Sequence, residues 1–159
     1  MKGKHVVALL VLPALAVGAS VYYLQVYAFY RPVAAGSPEA AITLTPRDGT
    51  AAAPMPMISD FEGIDADSSP LRFRGCFKTA VTLPELTAGY RLYEKPTPLI
   101  APSWFKCFDA GQIDADLETG KAVAFLSQAD IRPGFDRVVA VYPDGRAFAW
   151  HQPNESAEK

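Results

Sequence analysis

A long apolar run near the start of the chain sets its architecture. The run extends from Val6 to Tyr30 and contains 25 residues without an Asp, Glu, Lys, Arg or His. As an α-helix rising about 1.5 Å per residue it would measure roughly 37 Å, which exceeds a bilayer hydrocarbon core of about 30 Å. Residues 6–30 therefore predict a transmembrane anchor that tethers the rest of the chain.

A cleaved secretory signal peptide is the alternative. Lys2 and Lys4 would form its charged region, and Val17-Gly18-Ala19 offers small residues for cleavage near Ala19. However, the apolar run continues well beyond Ala19, whereas the apolar part of a signal peptide normally spans about 7–15 residues. The tyrosines that crowd the end of the run favour the headgroup layer. These features favour a signal anchor that is retained.

The charges that flank the run predict its orientation. Lys2 and Lys4 precede it, and only Arg31 follows immediately. The positive-inside rule then leaves residues 1–5 in the cytoplasm as a short stub and exports the C-terminal part. Gln25 lies near the outer end of the span, where its amide is either solvated or hydrogen-bonded to a neighbouring helix.

Composition divides the exported part into a tether, one folded domain and a tail. Residues 31–59 contain five prolines and an alanine run, which predicts a semi-extended tether. Residues 60–152 are long enough for one small domain, and residues 153–159 form a polar tail. From Pro32 onward the chain has 12 basic and 17 acidic residues, which gives a net charge of −5. This charge argues against nucleic acid as a partner.

The clearest local signal in the domain is a β-hairpin near its end. Pro143-Asp144-Gly145 suits a type I turn with a bulge, between strands at residues 137–142 and 146–152. Residues 122–126 are almost all apolar and predict a buried strand. Residues 71–78 alternate between apolar and polar, which predicts a half-buried strand with Cys76 on its polar face.

Two short helices complete the predicted domain. Thr82-Leu-Pro-Glu85 has the form of a capping box, which predicts a helix from there to about Tyr93. Asp109 caps a second helix that ends near Thr119, before Gly120. The fold class is therefore α+β: an N-terminal transmembrane helix plus a small extracytoplasmic domain with a mainly antiparallel sheet and two short helices.

Cys76 and Cys107 are the only cysteines, and both lie in the exported part. An even number of cysteines in an oxidising compartment predicts a disulfide bond, with two buried thiols as the alternative. Closing a loop of about 30 residues stabilises a fold by roughly 3–4 kcal/mol in the chain-entropy model. To reach Cys76, the segment around Trp104 must lie across the outer face of the strand at residues 71–78.

The sequence offers no convincing catalytic or metal-binding constellation, so we expect no enzyme activity, no metal and no cofactor. Four carboxylates between Asp60 and Asp67 lack the spacing of an EF-hand, and we interpret them as an acidic turn. Asp114 and Glu118 are expected to form a solvated helix face rather than an acid–base pair. A thiol enzyme that combines a cysteine with His151 is the weakest hypothesis.

Four residues are the candidate contacts for a ligand or partner. Arg72 and Arg74 can hold a phosphate or carboxylate near the aromatic pair Trp104 and Phe105, or they pair with the surplus acids of the domain. His151 is expected to be a surface or packed histidine, with pH sensing as the alternative.

Several blocks of the sequence resemble an uncharacterised bacterial family of short single-span membrane-anchored proteins. They are YYLQVYAFY with the following Arg-Pro-Val, the block GIDADSSPLRFRGCF, the stretch WFKC and the closing DRVVAVYPDGRAFAWHQ. The resemblance implies a bacterial inner-membrane protein with a periplasmic domain. Some relatives carry a histidine-kinase label, but this chain is too short for a kinase core and has no Gly-rich nucleotide box.

Together these features predict an interaction protein. The anchor would hold a disulfide-bonded domain beside a membrane complex, as an accessory subunit or assembly factor. Its expected partners are the lipid bilayer and another membrane protein or complex. The alternative is a tethered domain that binds or senses a small molecule.

Overall fold

The computed structural model describes residues 3–157, and the chain separates into two compact units, residues 1–30 and 31–159. The first unit is helix α1, Gly3–Tyr23, continued by a π-helical turn, Leu24–Ala28, that includes Gln25. Together they form one helix that is long and apolar enough to cross a membrane, as an anchor or a signal sequence would. Met1 and Lys2 of the predicted cytoplasmic stub lie outside the described residues.

The second unit is built on a six-stranded antiparallel sheet with the order β1-β4-β5-β8-β7-β6. A two-stranded sheet, β2-β3, packs beside it. The strands are β1 Arg31–Val33, β2 Thr43–Leu44, β3 Ala53–Pro54, β4 Ile58–Asp65, β5 Arg74–Thr79, β6 Val123–Arg132, β7 Phe135–Val141 and β8 Arg146–Pro153. The helices are α2 Leu83–Gly89 and α3 Ala110–Glu118. The α+β prediction is confirmed.

The predicted hairpin is present as β7 and β8. Gly145 closes its turn at φ +86°, a conformation that L side chains rarely adopt, and a Cβ there would lie 2.6 Å from the carbonyl oxygen of Thr79. The capping box before α2 is confirmed, but α2 ends four residues early because Tyr90 becomes extended and bridges to Pro46.

The interpretation of residues 31–59 as a tether is wrong. This segment belongs to the folded unit, where Ile42, Leu44 and Met55 are buried in the core and Val33 pairs with Gly63. A proline is compatible with this role in β1, because β1 is an edge strand. An edge strand pairs on one side only, so the missing backbone N–H of Pro32 need not cost a hydrogen bond of the sheet. The proline-rich composition therefore does not reveal that the apolar residues of this segment cover the sheet.

The acidic turn expected at residues 60–67 is a strand instead. β4 carries a bulge at Asp60, whose φ is +53°, and it then pairs with β5. The bulge accompanies the placement of the Phe61 ring over Gly63, where an added Cβ would approach that ring to 2.7 Å. The turn itself follows the strand, where the amide of Ser69 donates to the carbonyl of Ala66.

Both faces of the sheet are covered. One face packs its Phe73 and Phe77 side chains against the core formed with β2 and α2. The other face carries Cys76, Phe148 and Trp150, which are buried as well. The predicted solvent-facing side of β5 is therefore an interior surface, because a long loop lies over it.

The predicted polar tail begins inside the fold. Pro153 ends β8, and the amide of Asn154 donates to the carbonyl of Gly134. The side chain of Asn154 donates to the buried carboxylate of Asp136, which also accepts from the Tyr93 hydroxyl. Residues 158 and 159 lie outside the described part of the chain.

Candidate functional site

The predicted disulfide joins Cys76 on β5 to Cys107, with their Cα atoms 6.3 Å apart. It fastens residues 99–108, here called the stapled loop, across the outer face of the sheet. Phe108 follows the bond and packs edge-on against Phe148 and Trp150. The expected crossing of this face by the segment around Trp104 is confirmed.

Arg74 is the second group that fixes the stapled loop. Its Nε donates to the carbonyl of Leu99 at 2.7 Å and its Nη2 to that of Ile100 at 3.1 Å. Its Nη1 donates to two carbonyls of its own strand segment, those of Leu71 and Phe73. Only 3% of Arg74 is exposed. The guanidinium therefore cross-links backbone segments, and its contact with a ligand or partner stays a prediction.

The remaining predicted contact residues divide between the interior and the surface. Phe105 is buried, whereas Trp104 is 36% exposed and packs its ring edge-on against Phe105. Arg72 lies at the half-buried start of the segment that leads into β5. Sequence reasoning missed Ile100, which is 85% exposed. Its signal was a large apolar residue in a proline-bounded loop.

A cleft of about 820 Å³ lies elsewhere in the folded unit, between the β1–β2 region, the end of β4 and the β6–β7 hairpin. Its charged lining includes Asp65, Arg132 and Arg137, and Ile131 and Phe135 contribute apolar wall. The four contact residues predicted from the sequence do not line it, but His151 does. The signal was available in the predicted hairpin, since its turn places Arg137 opposite His151 in the register of β7 and β8.

The core-facing wall of this cleft is a buried arginine–histidine pair. Arg137 Nε donates to Nε2 of His151 at 3.0 Å, and Nδ1 of His151 lies 2.7 Å from the carbonyl oxygen of Pro70. This arrangement requires the neutral imidazole with its proton on Nδ1. Burial, reinforced by the charge of Arg137, lowers the pKa of His151 to about 3. His151 is thus a packed histidine, as one of the two interpretations expected.

Arg137 keeps its charge in this setting. Burial lowers its pKa to about 10, which leaves the guanidinium protonated at neutral pH. Its flat face lies 4.1 Å from the ring centroid of Phe73, and its Nη1 donates to the carbonyl of Ala41. Asp65 lowers the cost of this buried charge through space but does not form an ion pair with it among residues 3–157.

Asp114 and Glu118 are exposed on α3, as expected for a solvated helix face. Across the described residues no group of three or more His, Cys, Asp or Glu side chains is arranged to hold a metal ion.

The comparisons with known proteins place the chain in a family without assigning it a chemistry. Residues 42–159 match the family described as "Family of unknown function (DUF6446)", and this match covers most of the chain and nearly all of its folded unit. No curated protein matches the sequence. No solved structure matches it. The chain belongs to the DUF6446 family of unknown function.

Proposed function

We propose that this chain is a membrane-anchored interaction protein that works outside the cytoplasm, as an accessory subunit or assembly factor of a membrane complex. Helix α1 supports the anchor, and Lys2 and Lys4, which precede the apolar run at residues 6–30, favour a cytoplasmic N-terminus. The disulfide supports an oxidising compartment, the periplasm of a bacterium. The function proposed is binding rather than catalysis.

The observation that carries the proposal is the way in which the stapled loop presents Ile100 and Trp104. The disulfide at Cys107 and the two hydrogen bonds from Arg74 hold the loop backbone in one position. A large apolar side chain that is exposed on a fixed backbone binds a partner without first losing much conformational entropy. Tryptophan is also among the residues that most often dominate binding energy at protein interfaces.

A partner in the same bilayer fits this arrangement best. Tethering both proteins to one membrane raises their effective concentration, so a small apolar contact is enough for a stable complex. The domain's surplus of acidic residues keeps it soluble and does not favour binding to an anionic lipid surface.

Purification of the full-length chain from native membranes in mild detergent tests this function. We expect a membrane protein to co-purify in stoichiometric amount with the wild type, and its recovery to fall at least about tenfold for Ile100→Ser and Trp104→Ala. Met57→Ser is the matched control, because Met57 is 68% exposed and lies outside the loop. Recovery of the chain alone from several detergents would contradict a stable-subunit role.

Binding of a small molecule by the tethered domain is the second candidate function. It is favoured by the cleft at Arg137, where a buried cation reaches a partly apolar cavity. The two functions involve different surfaces, so they are tested independently.

A further inference from the structure

The cleft contains a guanidinium nitrogen that the protein leaves without a hydrogen bond. Arg137 is 5% exposed, and its Nε and Nη1 are occupied by His151 and by the carbonyl of Ala41. Within residues 3–157 no group accepts a hydrogen bond from Nη2, although every fully enclosed side-chain nitrogen and oxygen there has a partner. Nη2 therefore reaches the wall of the cleft, which Arg137 lines.

The orientation of this nitrogen is fixed. The guanidinium is clamped between His151, Ala41 and the Phe73 ring, so Nη2 needs no rearrangement to bind an acceptor. A buried, preorganised arginine is a strong site for a carboxylate, because the charge-assisted hydrogen bond is made where water competes weakly. Arg132 lies exposed at the rim of the same cleft and adds a second positive charge.

A carboxylate oxygen is left without a donor in the same cleft. Oδ1 of Asp65 accepts from the amide of Ala66 at 2.8 Å, and among the described residues no group donates to its Oδ2. Glu39 and Asp67 also line the cleft, but Arg31 pairs with both. Asp65 therefore offers the cleft a negative charge that disfavours a dianion such as phosphate and favours a ligand with a positive group.

The rest of the lining suits a compact apolar body. Ile131, Phe135 and Pro70 contribute apolar walls to the same cleft. An apolar wall with a few converging polar atoms is the usual composition of a small-molecule site.

From these three observations we propose that the cleft binds a small zwitterion, with its carboxylate on Arg137 Nη2, its ammonium on Asp65 Oδ2 and an apolar side chain against Ile131 and Phe135. A free amino acid has this chemistry. The proposal gives the second candidate function a ligand class and does not depend on the partner of the stapled loop.

Three probes that differ by one charged group test the proposal by calorimetry on the full-length protein in detergent. L-Leucine carries both groups, 4-methylpentanoate lacks the ammonium, and isopentylamine lacks the carboxylate. We expect leucine to bind saturably and the other two to bind at least about tenfold more weakly. No binding by any probe, or equal binding by all three, would overturn the proposal.

Two variants separate a site from a merely structural arginine. Asp65→Asn keeps the size of the side chain and its contact with Ala66. It should lower the affinity for leucine about tenfold and leave the affinity for 4-methylpentanoate no lower than in the wild type. Arg137→Lys keeps the positive charge but loses the planar guanidinium with its fixed N–H directions. It should weaken the binding of both probes that carry a carboxylate, leucine and 4-methylpentanoate. If Arg137→Lys does not fold, the Asp65→Asn result decides alone. Unchanged leucine binding in Asp65→Asn would overturn the zwitterion assignment.

Discussion

Nε of Arg137 donates a 3.0 Å hydrogen bond to Nε2 of His151, so a buried cation and a neutral imidazole share one site between β7 and β8. The histidine cannot take a second proton there without losing this bond and repelling the guanidinium. The pair therefore links the stability of the fold to pH.

We expect the wild type to lose stability in mild acid because of His151. Its pKa is about 3 in the folded protein against 6.5 in the unfolded chain. Between these values the unfolded chain binds a proton that the folded protein does not, so the free energy of unfolding falls as pH drops from 6.5 toward 3. The slope from this one group approaches about 1.4 kcal/mol per pH unit. Above about pH 7.5 the group has almost no effect on the slope, because the unfolded chain no longer binds the proton either.

His151→Gln supplies the control, since its amide can accept from Arg137 and donate to Pro70 without titrating. Urea unfolding of both proteins, followed by the fluorescence of the buried Trp150, should give curves that converge toward pH 5 from a wild-type advantage at pH 7. Parallel curves between pH 7 and 5 would show that His151 titrates normally in the fold.

Breaking the disulfide should destabilise the folded unit by about 3–4 kcal/mol, because it closes a loop with a sequence separation of 31. Reduced wild type and the double variant Cys76→Ser/Cys107→Ser should unfold at the same urea concentration, well below that of the oxidised protein. If reduction leaves the midpoint unchanged, the bond does not constrain the unfolded chain.

Replacing Arg74 should release the stapled loop. Arg74→Met leaves the carbonyls of Leu99 and Ile100 without their donor, at a cost of about 1–3 kcal/mol for each one that stays buried. Amide hydrogen exchange at residues 99–108 should accelerate. Lys78→Met on the same strand is the control, because its ion pair with Asp60 is exposed and contributes at most about 1 kcal/mol. Equal exchange in the two variants would contradict the role of Arg74.

The sequence signals that predicted the fold well were local ones. Gly145 in its turn, the capping box at Thr82 and the cap at Asp109 depend on neighbouring residues, and each is present. The proline-rich segment before residue 60 was misjudged because its pairing with β4 is a long-range contact that composition does not reveal. The burial of Arg74 could not be predicted for the same reason, because alternation gives the face of a strand but not what covers that face.

Leu44 tests whether the former tether is part of the fold. It is fully buried, and Leu44→Ala should cost about 2–5 kcal/mol of unfolding free energy. Ile100→Ala removes a side chain of the same size from the surface, and it should lower the free energy of unfolding by less than about 0.5 kcal/mol. If both substitutions have equally small effects, residues 31–59 are a linker and not part of the folded unit.

Site-specific photocrosslinking in native membranes tests the interaction function most directly. A photoreactive residue placed at Ile100 should yield one discrete crosslinked species that contains a membrane protein. The same residue at Met57, an exposed apolar position outside the stapled loop, should not yield it. No discrete product from Ile100, or the same products from both positions, would contradict the proposal that the stapled loop binds a membrane partner.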